Sequence, residues 1–132
     1  MTLVVDASAI VAALVDTGPA GRWAESLLTY DLVAPHLLPV EVAGVLRRSA
    51  GAGEISDDVA SLGHADLVDL RIRLFPYQLV ATRVWELRHN VGAYDAWYVA
   101  VAELLEAPLA TLDRRLAAAA GPTCEFRTPA GP

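Results

Sequence analysis

"AYDAWYVAVAELLEAPLATLDRRL", residues 93–116, contains two elements and the break between them. Within "NVGAYDAWYVAVAELLEAP", residues 90–108, the run is too long and too evenly apolar for a strand and reads as a helix apolar nearly all round, with only Asp95, Glu103 and Glu106 charged after its start. After Glu106, Ala107 and Pro108 comes "LATL", apolar throughout, and then Asp113 with two arginines. A strand apolar at every position, rather than at alternate ones, is covered on both faces, as in a parallel sheet layered between helices. The opening stretch "MTLVVDASAIVAAL", residues 1–14, repeats the arrangement: a short apolar run, a carboxylate at Asp6, then an apolar helix.

Working outward, strands are expected at about residues 2–5, 32–34, 71–74, 108–112 and 124–126, with helices in the gaps. Pro19 suits a first helical turn and places Trp23 and Leu27 on one stripe. "LPVEVAGVLRRSAGAG" is a helix stopped by glycines, and the helix in "ISDDVASLGHADLVDL" starts from a Ser56 cap. "PYQLVATRVWELRHN" repeats Val80, Val84 and Leu87 at helical spacing. The expected architecture is α/β: a three-layer α/β/α sandwich around a central parallel sheet of about five strands. It forms one domain over residues 1–132, with "TPAGP" at 128–132 as a flexible tail.

Composition narrows the class. At 132 residues and 14.0 kDa the chain makes one domain that buries about two thirds of its unfolded surface. The 55% hydrophobic content and mean hydropathy of +0.39 are high. Yet Asp16, Arg22, Glu25 and Asp31 interrupt the apolar runs before the ~20 residues a membrane span needs. A soluble protein is expected, with no basic region ahead of the first apolar run to suggest a signal peptide. The single cysteine, Cys124, leaves no intramolecular disulfide and fits a reducing cytoplasm. A net charge of -6 argues against a surface that attracts nucleic acid everywhere, while leaving room for a local site. All ten basic residues are arginine.

In open parallel sheets, ligands bind in the crevice beyond the carboxyl ends of the strands, where Asp6 and Asp113 would both emerge. Two more acids stand at similar junctions. Asp95, with Gly92 as N-cap, is the third residue of its helix, where a carboxylate favours the dipole and can bond back to the cap. At 100° per residue Glu106 falls about 20° from Asp95 and Glu103 about 80° from it, giving the helix one polar edge. Glu41 enters the first turn of the helix after Pro35 and Pro39, again a favourable dipole position. Each acid alone has this ordinary explanation. Together they would repel one another if they converged, and would then hold protons or require a cation. An oxygen-only set selects a hard ion such as Mg²⁺ or Mn²⁺.

"VVDASAIVAAL", "PVEVAGVLRR" and "AYDAWYVAVAELLEAPLATLDRRL" resemble, in order and spacing, the successive motifs of PIN-domain ribonucleases. The length resembles that of VapC-type toxins of type II toxin–antitoxin systems. The most specific part runs from Tyr94 to Leu116. The resemblance implies an Mg²⁺- or Mn²⁺-dependent endoribonuclease with catalytic positions at Asp6, Glu41, Asp95 and Asp113. Asp6, Asp95 and Asp113 are the implied metal ligands. Glu41 would complete the shell or orient the attacking water, with Ser8 and Thr111 in support. It further implies 5′-phosphate and 3′-hydroxyl products, a VapB-type antitoxin threading a C-terminal segment near the acidic cleft, and a homodimer. Gly92 stands where relatives often carry a Ser or Thr cap, and Gly44 where some have a polar side chain.

Arg47, Arg48, Arg114 and Arg115 are candidate phosphate clamps for RNA. The alternative is that such arginines are solvated or face a partner. Tyr94, Trp97 and Tyr98 either stack unpaired bases or belong to the core. His36, His64 and His89 lack paired metal spacing and read as structural or surface residues. Receiver-type and haloacid-phosphatase-type domains also put an Asp at a strand end but need a lysine near the phosphate, and this chain has none. No glycine-rich loop ending in Gly-Lys-Ser/Thr exists for a nucleotide. The remaining rival is a catalytically inactive PIN-like protein-interaction module whose acids only stabilise helix ends.

Overall fold

The computed structural model describes residues 1–130, so the tail expected over 128–132 lies partly outside the described residues. The first strand, β1 (Thr2–Val5), runs straight into Asp6, which caps α1 (Ala7–Val15) by accepting a hydrogen bond from the Ala9 N–H at 3.1 Å. The chain continues through α2 (Pro19–Ser26), β2 (Asp31–Pro35), α3 (Leu38–Gly51) and α4 (Asp57–Asp69). It then forms β3 (Ile72–Phe75), α5 (Ala81–Glu86), α6 (Ala93–Leu105), β4 (Leu109–Ala110), α7 (Arg114–Ala117) and β5 (Phe126–Arg127).

The five strands form one parallel sheet in the order β3-β2-β1-β4-β5. Successive strand residues point to opposite faces, and Leu3, Val4 and Val5 are all at most 1% exposed, so both faces of β1 are covered. On the helical layers, α6 lies against β1, β2 and β4 with α5 beside it, while α1 packs on α2, α3 and α4. The α/β three-layer expectation holds. No helix among the described residues is long and apolar enough to cross a membrane.

The chain starts in the middle of the sheet, adds β2 and β3 on one side, and then crosses to add β4 and β5 on the other. The order therefore reverses between β1 and β4, where an open sheet parts into a crevice. Val4 pairs with Leu109 and Val5 with Ala110, and the Asp6 N–H donates to the Ala110 carbonyl at 3.2 Å. That register brings Asp6 and Thr111 side by side at the crevice, which strand signals alone did not settle.

Local expectations hold with adjustments. The Ser56 Oγ accepts from the Val59 N–H at 3.1 Å, and α3 ends at glycines with Gly53 at φ 76°, a conformation glycine adopts without strain. The stripe of Val80, Val84 and Leu87 is buried as expected, but the helix carrying it is shorter. A 3₁₀ turn, Tyr77–Leu79, precedes α5, and Val80 between them has φ -126° and ψ 9°, outside helical geometry. The polar edge expected on α6 does not extend to Glu106, because the helix stops at Leu105 and Glu106 turns left-handed at φ 53°.

Candidate functional site

Asp6 is the floor of the crevice. It is 6% exposed, and donors surround its carboxylate: Ser8 Oγ at 2.6 Å and the Ala9 N–H at 3.1 Å on Oδ1, with Thr111 Oγ1 on Oδ2. Both hydroxyls also accept. Ser8 Oγ takes the Leu112 N–H at 3.0 Å and Thr111 Oγ1 takes the Asp113 N–H at 3.0 Å, so each ties Asp6 to the loop leaving β4. Burial holds the Asp6 carboxyl above the usual carboxylate range. The Ser8, Thr111 and Ala9 donors oppose that shift, and the charge of Asp113 adds to it.

Asp113 caps α7, its Oδ1 accepting from the Arg115 N–H at 3.0 Å and the Leu116 N–H at 3.2 Å. Asp95 is the third residue of α6 behind the Gly92 cap, as expected, but the bond back to the cap is not made. Among the described residues no group donates to the Asp95 side chain. Its carboxyl is pushed above the usual range by partial burial first, then by Asp113 and Asp6, with Arg115 opposing. Glu41 sits in the first turn of α3, and its Oε1 accepts from the Tyr98 hydroxyl at 2.6 Å. Burial raises its pKa, the Tyr98 bond lowers it, and the charges of Asp95 and Asp6 raise it.

The four acids expected from sequence thus feel one another across a single crevice, although they arrive from β1, α3, α6 and the end of β4. Among the described residues none of them has an ion-pair partner. Nor do any three Asp, Glu, His or Cys side chains, among the described residues, stand close enough to grip one ion between them. The acids face one another rather than clasp a common point. In kind the set fits a hard divalent cation: its donors are all oxygen, and burial first, then the neighbouring acids, raises the proton affinities of Asp6, Glu41 and Asp95.

The arginines separate into two groups. Arg48 lies on the Glu41 stripe of α3, its Nη1 3.3 Å from where a Cβ on Gly44 would stand, so the bare glycine makes room for it. Arg115 is close enough to act on the Asp95 carboxyl. Arg47 instead lines a depression with Ala60, Ser61 and His64 on the α4 side, and Arg114 donates to the Pro129 carbonyl at 3.2 Å.

Of the aromatics, Tyr98 is core at 1% exposure, Trp97 packs edge-on to Tyr77 at 5.3 Å, and Tyr94 is 65% exposed beside Asp95. His36, His64 and His89 are exposed. The sequence reading placed Tyr98 in the core or in base stacking and missed its bond to Glu41. The available signal was a hydroxyl on an apolar helix, three residues from Asp95, which a core position obliges to find a partner.

Residues 3–122 match the PIN domain family. Ribonuclease VapC1 of Mycobacterium tuberculosis is 43% identical over 126 residues, covering 94% of this chain and 95% of that protein. The crystal structure of PAE2754 from Pyrobaculum aerophilum superposes with a TM-score of 0.70 at 25% identity, over 96% of this chain and 83% of that one. VapBC2 from Rickettsia felis, solved bound to a DNA fragment from its promoter, shares the fold with a TM-score of 0.62 at 12% identity, over 97% and 98% of the two chains. The protein is a PIN-domain protein of the VapC family.

Proposed function

We propose that the protein is an endoribonuclease dependent on Mg²⁺ or Mn²⁺, the toxin of a toxin–antitoxin pair. One observation carries this reading: four carboxylates, without ion-pair partners among the described residues, share the switch-point crevice of the sheet, and three of them are held above their usual pKa range. The relative named ribonuclease VapC1 points to the same chemistry.

Asp6, Asp95 and Asp113 would hold the ion. Bound there, it supplies charge neutralisation at a phosphate and acidification of a water. The chain's own residues do the rest. Ser8 and Thr111 fix both oxygens of Asp6 and keep its carboxylate turned into the crevice. Glu41 Oε2 takes no donor among the described residues and receives the proton of the attacking water. Its raised proton affinity brings it nearer to working pH, where a general base acts best. Arg115, which acts on Asp95, contacts a non-bridging phosphate oxygen, and Arg48, two turns from Glu41 on the same stripe of α3, meets a phosphate further along the RNA strand.

RNA approaches this edge despite the net negative charge because Arg115 stands at it, close enough to act on Asp95. The antitoxin, of VapB type, lays a segment along the apolar groove that leaves the crevice beside Ser8, lined by Val11, Val15, Val45, Ile55 and Leu112. The toxin works in the cytoplasm as a homodimer. The test is cleavage of structured cellular RNAs by partner-free protein with Mg²⁺ or Mn²⁺, against EDTA and a folded Asp6→Asn, Asp95→Asn double variant. Metal-dependent cuts that vanish in the variant support the nuclease, whereas cuts that persist there, or none in any condition, reject it.

A further inference from the structure

Resting on that reading of the site, we propose that Tyr98 is a positioning residue for the reaction: its buried hydroxyl fixes the Glu41 carboxylate against Asp95 and leaves Glu41 Oε2 open to the crevice.

The argument begins with what a core position needs. Tyr98 is 1% exposed and packed in the apolar core of α6, a place that a Phe ring would fill as well. A hydroxyl buried there is unfavourable unless it is bonded. Among the described residues its one side-chain partner is Glu41 Oε1 at 2.6 Å, 57 residues earlier in the chain. Seen from Glu41 the dependence is mutual. Among the described residues no other group donates to its carboxylate, so a three-torsion side chain at the mouth of α3 is held by this bond alone.

The helix geometry adds the second part. Asp95 and Tyr98 are three residues apart on α6 and therefore neighbours on one face. One rigid helix thus presents an acid to the crevice and also clamps the acid that arrives from α3, so the spacing between Glu41 and Asp95 is set by α6 rather than by the loop preceding α3. Burial and the nearby carboxylates push the phenol well above its ordinary pKa, so it remains a donor.

The substitution that tests this is Tyr98→Phe, which removes one oxygen from the core. In steady-state RNA cleavage the expected loss is about 10–100-fold in kcat, the range typical of a partner that orients a site residue, with KM unchanged. The loss is absent on a Glu41→Gln background, because a residue acting through Glu41 has nothing left to act through. Crystal structures of the wild type and of Tyr98→Phe supply a reading independent of turnover: Glu41 stays bonded in the first and leaves the crevice in the second. Equal losses by Tyr98→Phe with and without Glu41 would overturn the proposal, as would a Glu41 side chain that does not move, or a variant that no longer folds. If the wild type cleaves no RNA, the nuclease reading fails by itself, and the position of Glu41 in the two crystal structures still decides the role of Tyr98.

Discussion

The two ends of α6 each carry a half-buried acid, and they are treated in opposite ways. At the C-terminal end Glu103 receives Arg83 Nε at 2.6 Å, Arg83 Nη2 at 3.3 Å and the Thr123 N–H at 2.8 Å. These donors overcome burial and hold its carboxyl below the usual range. At the N-terminal end Asp95 receives no hydrogen bond from the described residues, so burial, with Asp113 and Asp6 adding to it, holds its carboxyl above that range. An acid that stabilises the fold is given its countercharge by the chain. The acids at the crevice are left to find theirs elsewhere, at a cost in repulsion that folding alone does not explain.

The contrast breaks most visibly in activity. Asp95→Asn is expected to lower RNA cleavage by more than about a hundredfold, past the cost of losing an orienting partner, while leaving the melting temperature unchanged or slightly raised as repulsion is relieved. Glu103→Ala should do the reverse. It keeps cleavage and costs about 1–3 kcal/mol, as a group loses charged hydrogen bonds, which lowers the melting temperature by roughly 3–10 °C. Cleavage rates and thermal unfolding of the two variants, measured side by side, check both halves; a crevice acid that destabilises like Glu103 would erase the distinction.

Stability against pH separates the two ends next. Asp6, Glu41 and Asp95 have raised folded-state pKa values, so their contribution is fully present below the usual range near pH 4 and is lost as pH rises through the raised values. Glu103 is depressed, so its contribution is present above that range and lost as pH falls through its folded value. In EDTA the wild type should therefore become more stable as pH drops through the raised values of these three acids, and less stable as it falls below the usual carboxylate range near pH 4. Asp6→Asn flattens the first limb and Glu103→Gln the second. At neutral pH, Mn²⁺ at a hundredfold over its dissociation constant adds about 2.7 kcal/mol to the wild type and nothing to the Asp6→Asn, Asp95→Asn protein. Unfolding curves across pH, with and without the ion, read all of this.

The elements of this fold were legible because they depend on local pattern: Leu3 to Val5 and Leu109 to Ala110 are strands buried on both faces, and their unbroken apolar runs say so. The acids were legible because each interrupts such a run. What pairs with what was not. The β1–β4 register that seats Asp6 beside Thr111 joins residues 105 apart, and no local pattern encodes it. For the same reason the Arg83–Glu103 pair, 20 residues apart across α5 and α6, and the Tyr98–Glu41 bond escaped the reading. The length of α5 was missed because tertiary packing holds Val80 out of helical geometry while keeping it on the buried stripe.

A smaller effect tests whether the crevice is organised from beneath. Thr111 is fully buried and uses its hydroxyl twice, donating to Asp6 and accepting from the Asp113 N–H. Thr111→Val keeps the shape and removes both bonds, leaving a backbone N–H and a buried carboxylate short of partners. A loss of about 1–3 kcal/mol is expected, with cleavage about tenfold down or more. Thr111→Ser, which restores the hydroxyl, should recover most of the activity. Ser8→Ala is the weaker counterpart, because the Ala9 N–H still serves Asp6 Oδ1.

The smallest expected effect concerns the arginines, and it asks whether position at the crevice matters more than charge. Arg115 acts on Asp95 across the crevice, whereas Arg47 looks towards α4. If Arg115 meets a phosphate of single-stranded RNA, Arg115→Ala removes one released counterion, and the slope of log affinity against log salt falls by about 0.7. Arg47→Ala changes the net charge by the same unit and should leave that slope alone. The measurement is RNA binding by the cleavage-deficient Asp6→Asn, Asp95→Asn protein over a salt series, with each arginine replaced in turn. Equal changes in the two slopes would mean that RNA reads the overall charge of the protein, and the crevice would lose its claim to hold the substrate. A change confined to Arg115 extends the lesson of α6 to the basic residues: the surroundings of a charged group, more than its type, decide whether it serves the fold or the site.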